Sequence, residues 1–393
     1  MRTGSKKDKR YAWAEIDLAS LDHNIRLIKA AGSCEGAGIM AVVKADAYGH
    51  GAIEVSRQAL KSGAGALGVV LVEEGIDLRN AGIGATIYVL GECSPYSVAD
   101  AVKNRLILTV NSVASAEVFS GIVEKVGGNL VVNINIDTGM NRVGIDWRDA
   151  AGAVSKIRKI RGLNVEGIFS HFSCASEENE DFSRLQWERF SKVQKEIENH
   201  HPDKNNIYHF ANSAAFFRFP FSRLDMVRIG LSLYGLNPYS GKWNKWTSEE
   251  TGKVVSGLRP VLSLKSRISF IKKTGKGEPI SYCGTFKTKA ESVIATIPVG
   301  YADGYNRLLS NRAKVLIGGM EAPVVGNITM DQFMVDITSI AKVKKVTCGD
   351  EVVLIGRSGS KEILADDIAA LTGTINYEVV CMIASRIPRV YIR

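Results

Sequence analysis

Short, almost uninterrupted apolar runs recur through the first 240 positions, and between them apolar residues fall at spacings of three and four. The runs at 39–44, 66–72, 86–90, 106–110, 130–137, 165–171, 207–210 and 225–230 predict eight strands. A strand with one wet face alternates apolar and polar positions. These hardly alternate, so both faces are expected to be buried, as in a parallel sheet covered by helices. Leu21, Ile25 and Ile28, and later Phe190, Val193 and Ile197, predict amphipathic helices in the connections. Eight such βα units predict an α/β fold, a TIM (β/α)8 barrel over 11–240. An open doubly wound sheet has the same periodicity and stays an alternative.

After Pro238 the pattern changes. Positions 239–257 are polar with few apolar clusters and read as a linker. From Val261 on, strand-like runs separated by Gly and Pro dominate, at 293–298, 314–317, 323–325, 333–337 and 351–355, with one helix expected at 365–372. This predicts a second, mostly β domain over 241–393. The segment 11–16 is also strand-like, and it either opens the barrel or pairs with the β domain. Positions 1–10 are a basic tail expected to be mobile. No apolar stretch follows its charges, so it does not read as a secretory signal.

Composition narrows the classes. The chain has 393 residues, enough for two domains, and 45% hydrophobic with 23% charged residues is ordinary for a globular protein. No stretch approaches the roughly 20 apolar residues of a membrane span. The six cysteines are scattered without a Cys-x-x-Cys pair, so no metal site is expected, and reduced thiols fit a cytoplasmic location. Net charge is +9, without the basic stripe interleaved with aromatics that nucleic-acid binding would need. A positive cleft for a small anion fits better.

In a barrel, reactive groups gather where strands end at the C-terminal face. The first strand ends on Lys44. An apolar strand shields an amine from water and disfavours its charged form, which makes Lys44 a candidate Schiff-base nucleophile; a strand emerging into solvent with a lysine at its tip is the plain alternative. The fifth strand leads to Asn135, Asp137, Met140, Asn141 and Arg142, and the sixth to His171. The seventh leads to His209, Asn212 and Ser213, and the eighth to Arg228, Gly230 and Leu231. A lysine, two arginines and a serine beside glycine suit an anionic cofactor with a carbonyl group.

These residues lie in motifs that follow one another in a familiar order: Ala41-Val-Val-Lys44-Ala-Asp-Ala-Tyr48-Gly-His-Gly, Asp137-Thr-Gly-Met140-Asn-Arg142, Phe210-Ala-Asn-Ser213, Met226-Val-Arg228-Ile-Gly230, Ser281-Tyr282-Cys-Gly-Thr-Phe, Gly300-Tyr301-Ala-Asp-Gly, Thr329-Met330-Asp331 and Thr374-Ile-Asn-Tyr377-Glu. The chain resembles the alanine racemases, pyridoxal-phosphate enzymes with a barrel and a C-terminal β domain, from about Trp13 to Arg393. The resemblance implies that Lys44 holds pyridoxal phosphate as a Schiff base and is one proton-transfer base, with Tyr282 of the partner subunit as the other. Racemisation removes the Cα proton on one face and returns it on the other, so two bases must flank a planar intermediate. A tyrosine needs neighbouring positive charge to act as a base near neutral pH. The resemblance supplies it through His171 and Arg228. It also places Arg228 against the pyridine nitrogen, where an arginine, unable to give up its proton, leaves the ring unprotonated. Tyr48, Ser213, Tyr377 and the backbone of Gly230 and Leu231 would hold phosphate. Arg142 would contact the cofactor's phenolic oxygen and the substrate carboxylate, which the partner's Met330 backbone would also bind. The implied enzyme is a homodimer with shared sites that supplies D-alanine for peptidoglycan.

The chain departs from the family pattern at three places. Many relatives carry a carbamylated lysine where this chain has Asn135. An anion, chloride being the simplest, is expected to fill the gap beside Arg142, unless Asn135 hydrogen-bonds Arg142 directly. Cys283 replaces a common glycine, and Asn327 stands where many relatives have an arginine near the substrate entrance. Both could alter access or substrate range, and a serine or broad-specificity amino-acid racemase of the same family is the alternative. A decarboxylase of the same architecture would need an acid in place of Arg228. A non-catalytic cofactor carrier built on the barrel alone would lack Tyr282 and Met330.

Overall fold

The computed structural model describes residues 10–31, 38–202, 205–239 and 249–393. The chain divides into two units: Leu21–Ala47 with Ala52–Leu258, and Met1–Ser20 with Tyr48–Gly51 and Arg259–Arg393.

The first unit is built on eight parallel strands: Gly38–Val42, Ala66–Val69, Thr86–Val89, Ile107–Val110, Leu130–Asp137, Leu163–Phe169, Ile207–His209 and Met226–Ile229. Each of the first six pairs with the next, and the eighth returns to the first with Val227 opposite Ile39. Between the seventh and eighth strands there is no ladder. Two backbone bonds bridge them instead, Asp225 N–H to Tyr208 O (3.1 Å) and Arg228 N–H to Ala211 O (2.9 Å). The result is the expected barrel, nearly closed, and not an open sheet. The strands are buried on both faces, which is why their sequences fail to alternate. Leu21, Ile25 and Ile28 on helix Leu18–Ala31 are buried, as are Phe190, Val193 and Ile197 on helix Asp181–His200.

One expectation fails. The stretch read as a linker contains a helix, Glu249–Gly257. A short helix needs only one apolar contact face, and here Val255 is the buried anchor, so the low apolar density was misleading. Positions 240–248 lie outside the described residues.

The second unit carries a largely antiparallel sheet. Its order is Phe270–Thr274, Ser292–Ile297, Phe333–Asp336, Met320–Val325, Lys314–Ile317, Glu351–Ser358, Leu262–Arg267, Ala12–Asp17 and Arg389–Ile392. The N-terminal strand Ala12–Asp17 therefore belongs to this sheet, antiparallel to Leu262–Arg267 and parallel to Arg389–Ile392. Strand Leu262–Arg267 alternates buried and half-buried positions, as a sheet with one wet face should. Helix Ala365–Thr372 has the bounds its pattern predicts. Of the expected basic tail, positions 1–9 lie outside the described residues, and Arg10 is ion-paired with the buried Asp303. Among the described residues no helix is long and apolar enough to cross a membrane, and no His, Cys, Asp and Glu cluster could hold a metal.

Candidate active site

Lys44 follows a fully buried stretch of strand and opens a single helical turn, Lys44–Gly49. This turn winds left-handed: φ is +53° at Ala45, +52° at Asp46, +54° at Ala47, +53° at Tyr48 and +80° at Gly49. Each L-residue held so costs about 1–2 kcal/mol, hence roughly 4–8 kcal/mol for four. Specific bonds offset the strain. Ala45 N–H donates to the Glu74 carboxylate (2.6 Å) and Ala47 N–H to Val43 O (2.9 Å). Asp46 accepts the Ala52 N–H at 2.8 Å, and Gly49 O accepts from Arg389 at 2.9 Å. Gly49 must be glycine, because a Cβ there would collide with Val380 O.

The barrel mouth near Lys44 holds a buried arginine between two histidines. Arg228 is 4% exposed, and its guanidinium donates to the Ser170, His209 and Phe210 carbonyls (2.7, 2.9 and 3.1 Å). It also donates to Nδ1 of His209 (2.7 Å) and Nδ1 of His171 (3.1 Å). Arg228 further lies over the Phe169 ring, which stacks on His209 at 4.9 Å. Accepting from a guanidinium leaves both Nδ1 atoms unprotonated, so each imidazole carries its proton on Nε2. For His209 that Nε2 faces the Asn133 amide at 3.2 Å, which accepts once its carbonyl oxygen faces the ring. Burial, then the charge of Arg228, hold both histidines well below 6.5; Arg142 and Lys44 add to the effect on His171. Burial and Arg142 lower Arg228 itself to about 9, still charged at neutral pH.

Ser213 and Gly230 follow the seventh and eighth strands, and the Gly230 N–H donates to Ser213 Oγ at 3.0 Å. Asn212 caps the helix Ser213–Arg218 by accepting from Ala215 N–H (3.0 Å). Leu231 opens the 3-10 turn Leu231–Tyr234. In barrels of this kind the loops after strands seven and eight are the usual phosphate site. Tyr48 and Tyr377 belong to the second unit, with ring centroids 6.2 Å apart. Burial raises the pKa of both, Tyr377 to about 12, so both are neutral phenols able to donate.

Arg142 lies in an exposed loop after the fifth strand. Asp137 shapes that loop, its carboxylate accepting the N–H groups of Gly139 (2.8 Å) and Asn141 (3.1 Å). The expected alternative of a direct Asn135–Arg142 bond is not what forms. The Asn135 amide donates to Asn111 Oδ1 at 2.9 Å and, weakly, to Val143 O at 3.4 Å. Asn111 comes from the end of the neighbouring strand and offers an acceptor to the Asn135 NH2, whereas an arginine could only donate, to the Asn135 Oδ1.

Tyr282 and Met330 sit in the second unit, exposed by 71% and 53%. Tyr282 is flanked by two residues of positive φ, Ser281 (+64°) and Cys283 (+63°), the latter at the position where glycine is common. Asn327 donates to the Tyr282 carbonyl at 2.9 Å, while Ser281 Oγ donates to Asn327 O at 2.6 Å. Gly300 lies under Met330, where a Cβ would collide with the Thr329 and Met330 carbonyls.

Sequence reasoning singled out most of these residues but missed Glu74, Asn111 and Asn133. Each acts through a contact between separate parts of the barrel, Glu74 from a helix to the Lys44 turn, Asn111 to the neighbouring strand and Asn133 past one strand to His209, and only the assembled fold could have revealed it.

Comparison with known proteins gives a consistent picture. The family described as alanine racemase, N-terminal domain, matches residues 16–238, and alanine racemase, C-terminal domain, matches 261–391. Alanine racemase 1 of Clostridium acetobutylicum is 42% identical over 386 residues, covering 98% of this chain and 96% of the relative. The solved alanine racemase of Clostridium difficile superposes with a TM-score of 0.88 at 37% identity, over 97% of this chain and 96% of that one. A histidine racemase from Leuconostoc mesenteroides has a TM-score of 0.86 at 28% identity, covering 98% of each chain.

Proposed function

The chain belongs to the alanine racemase family, and from that premise we propose how its residues interconvert L- and D-alanine. The family depends on pyridoxal phosphate, and the donor set at the barrel mouth fits that group: a lysine beyond a buried strand, two arginines, neutral imidazoles and a Ser213–Gly230 phosphate corner. When bound, pyridoxal phosphate supplies a carbonyl for amines and a ring that stabilises negative charge at Cα.

Lys44 holds the cofactor and moves the Cα proton on one face. The partner subunit's Tyr282 moves it on the other. His171, its Nδ1 occupied by Arg228, keeps an Nε2–H to donate to that phenol oxygen. The bond, with the charge of Arg228 behind it, lets the tyrosine lose its proton more readily. Arg228 commits both terminal nitrogens to carbonyls and imidazoles, which leaves Nε–H for the pyridine nitrogen. Ser213, Gly230, Leu231, Tyr48 and Tyr377 hold the phosphate. Arg142 meets the phenolic oxygen and the substrate carboxylate, which the partner's Met330 backbone also binds. A chloride ion beside Asn135 and Arg142 would take over the amide hydrogen now making the long 3.4 Å contact to Val143 O. Tyr282 and Met330, left exposed on one chain, support a homodimer with shared sites. The five described cysteines are free thiols, which supports a cytoplasmic enzyme supplying D-alanine for peptidoglycan.

The observation that carries this reading is the buried Arg228, bonded at once to His171 and His209. A broader substrate range is the second reading. It is favoured by Asn327, whose uncharged amide is turned to the Tyr282 carbonyl where relatives place a cation. A pocket discriminates one added group by only about 1–3 kcal/mol. Cα-proton exchange in heavy water, followed by NMR across a panel of L-amino acids, separates the two. Fast loss of the alanine signal alone is expected. Comparable loss from serine would establish the broader enzyme, and no loss from any amino acid would refute both.

A further inference from the structure

Glu74 lies in the first turn of helix Val72–Asn80, which follows the barrel strand next to the one that delivers Lys44. Its carboxylate accepts three backbone N–H groups. Oε2 takes those of Val70 (2.8 Å) and Leu71 (3.1 Å), and Oε1 takes that of Ala45 (2.6 Å). The first two close the N-terminus of Glu74's own helix, as an acid at this position commonly does. The third does not belong to that helix. Ala45 lies 29 positions earlier and directly follows Lys44. Its N–H sits in the peptide plane that joins Lys44 to the left-handed turn, so the bond fixes the orientation of that plane.

We propose that Glu74 is a positioning residue for Lys44: one carboxylate couples the N-terminus of a barrel helix to the Lys44–Ala45 peptide and so keeps the turn left-handed and the amine near His171. The proposal rests on Lys44 being the reacting amine. Only a carboxylate can fill the role, because it accepts at both oxygens. A glutamine would turn its NH2 either to the Ala45 N–H or to the Val70 and Leu71 pair, and one of the two connections would be lost. Strand pairing supports the placement, since Val43 N–H donates to Gly68 O (2.8 Å) and brings the two strand ends side by side.

The test uses the full chain with Glu74→Gln and Glu74→Asp, the latter keeping the charge on a shorter arm. Backbone hydrogen exchange is read on the cofactor-free protein, and steady-state kinetics on the protein reconstituted with pyridoxal phosphate. In Glu74→Gln, exchange over 44–50 is expected to accelerate roughly tenfold or more, with 130–137 unchanged. On reconstitution kcat should fall by about tenfold, while KM for alanine moves less than about threefold. Glu74→Asp should show the same pattern more weakly, and it decides alone if the glutamine variant does not fold. Acceleration confined to 72–80 would overturn the proposal and leave Glu74 a helix cap only. So would a loosened 44–50 with unchanged kcat. If the wild-type protein fails to exchange the alanine Cα proton, the functional reading falls. The exchange pattern of the cofactor-free protein still reports whether Glu74 holds the turn.

Discussion

The Lys44 turn and the Arg142 loop begin alike and end up opposite in character. Both lie just past the C-terminal ends of barrel strands, and both use positive φ in residues other than glycine. The Lys44 turn strings four such residues together, follows a buried strand, and is tied by Glu74, Asp46, Arg389 and the close approach under Gly49. The Arg142 loop has one, Asn141, is exposed, and is shaped by Asp137 and a long contact from Asn135. The difference matches the roles proposed above for Lys44 and Arg142. A covalent anchor that also moves a proton needs a fixed position, because a misplacement of about 1 Å can cost 100-fold in rate. A guanidinium that greets a carboxylate on arrival and releases it later works from a backbone that can adjust.

Removing the two side chains should break the comparison most sharply. Lys44→Ala is expected to abolish turnover and covalent cofactor binding, read by absorbance and mass. Arg142→Ala should retain bound cofactor and lose about 100-fold in kcat/KM, chiefly through KM. Equal losses in kcat for both would erase the distinction.

Adding one methyl group probes the backbones. Gly49→Ala meets Val380 O and a left-handed φ, and should cost about 3 kcal/mol or more in thermal unfolding. Gly144→Ala, with φ +115° and the Asp137 nitrogen at 3.0 Å, should cost about 1–2 kcal/mol.

A smaller effect comes from pH. His171 and His209 are held well below 6.5 by burial and Arg228. Above 6.5 both are neutral in the folded and unfolded chain, and stability is at its full value. As pH falls below 6.5 the unfolded chain takes up protons that the folded one refuses, so stability drops by about 1.4 kcal/mol per pH unit for each histidine. Thermal melts of the wild type between pH 7 and 5 should show this slope. His209→Asn should lose part of it, whereas a change at Arg142, on the exposed loop, should leave most of it.

The smallest change sharpens the contrast from the other side. Ala45→Gly relieves a strained position and should stabilise the folded chain by about 0.5–1 kcal/mol. Asn141→Gly should be nearly neutral, because asparagine already tolerates a left-handed φ. A destabilised Ala45→Gly would show that the turn's strain is smaller than its φ values imply.

The sequence pattern revealed the barrel strands to within three residues because burial on both faces suppresses alternation, a signal that needs no partner. It placed Lys44, His171 and Arg228 at strand ends for the same reason. It did not reveal that the turn after Lys44 is left-handed. Ala45, Asp46, Ala47 and Tyr48 contain no glycine, so local propensity points the other way and only tertiary bonds hold the conformation. Nor could it show that Asn135 turns to Asn111, 24 positions away, instead of to Arg142. That choice depends on strand register. The helix Glu249–Gly257 was missed because one buried valine is too faint a periodic signal.

The bond from Arg389 to the Gly49 carbonyl spans 340 positions of chain. On a ribosome the barrel strand that bears Lys44 emerges long before residue 389 is made. Until then the turn lacks one of its clamps and keeps the freedom to unwind. The left-handed turn beside Lys44 therefore reaches its full set of bonds only after residue 389 has been made, although Glu74, Val43 and Asp46 can hold it earlier. Synthesis order thus leaves the last of those bonds, the one that fixes the Gly49 carbonyl, to the end of translation.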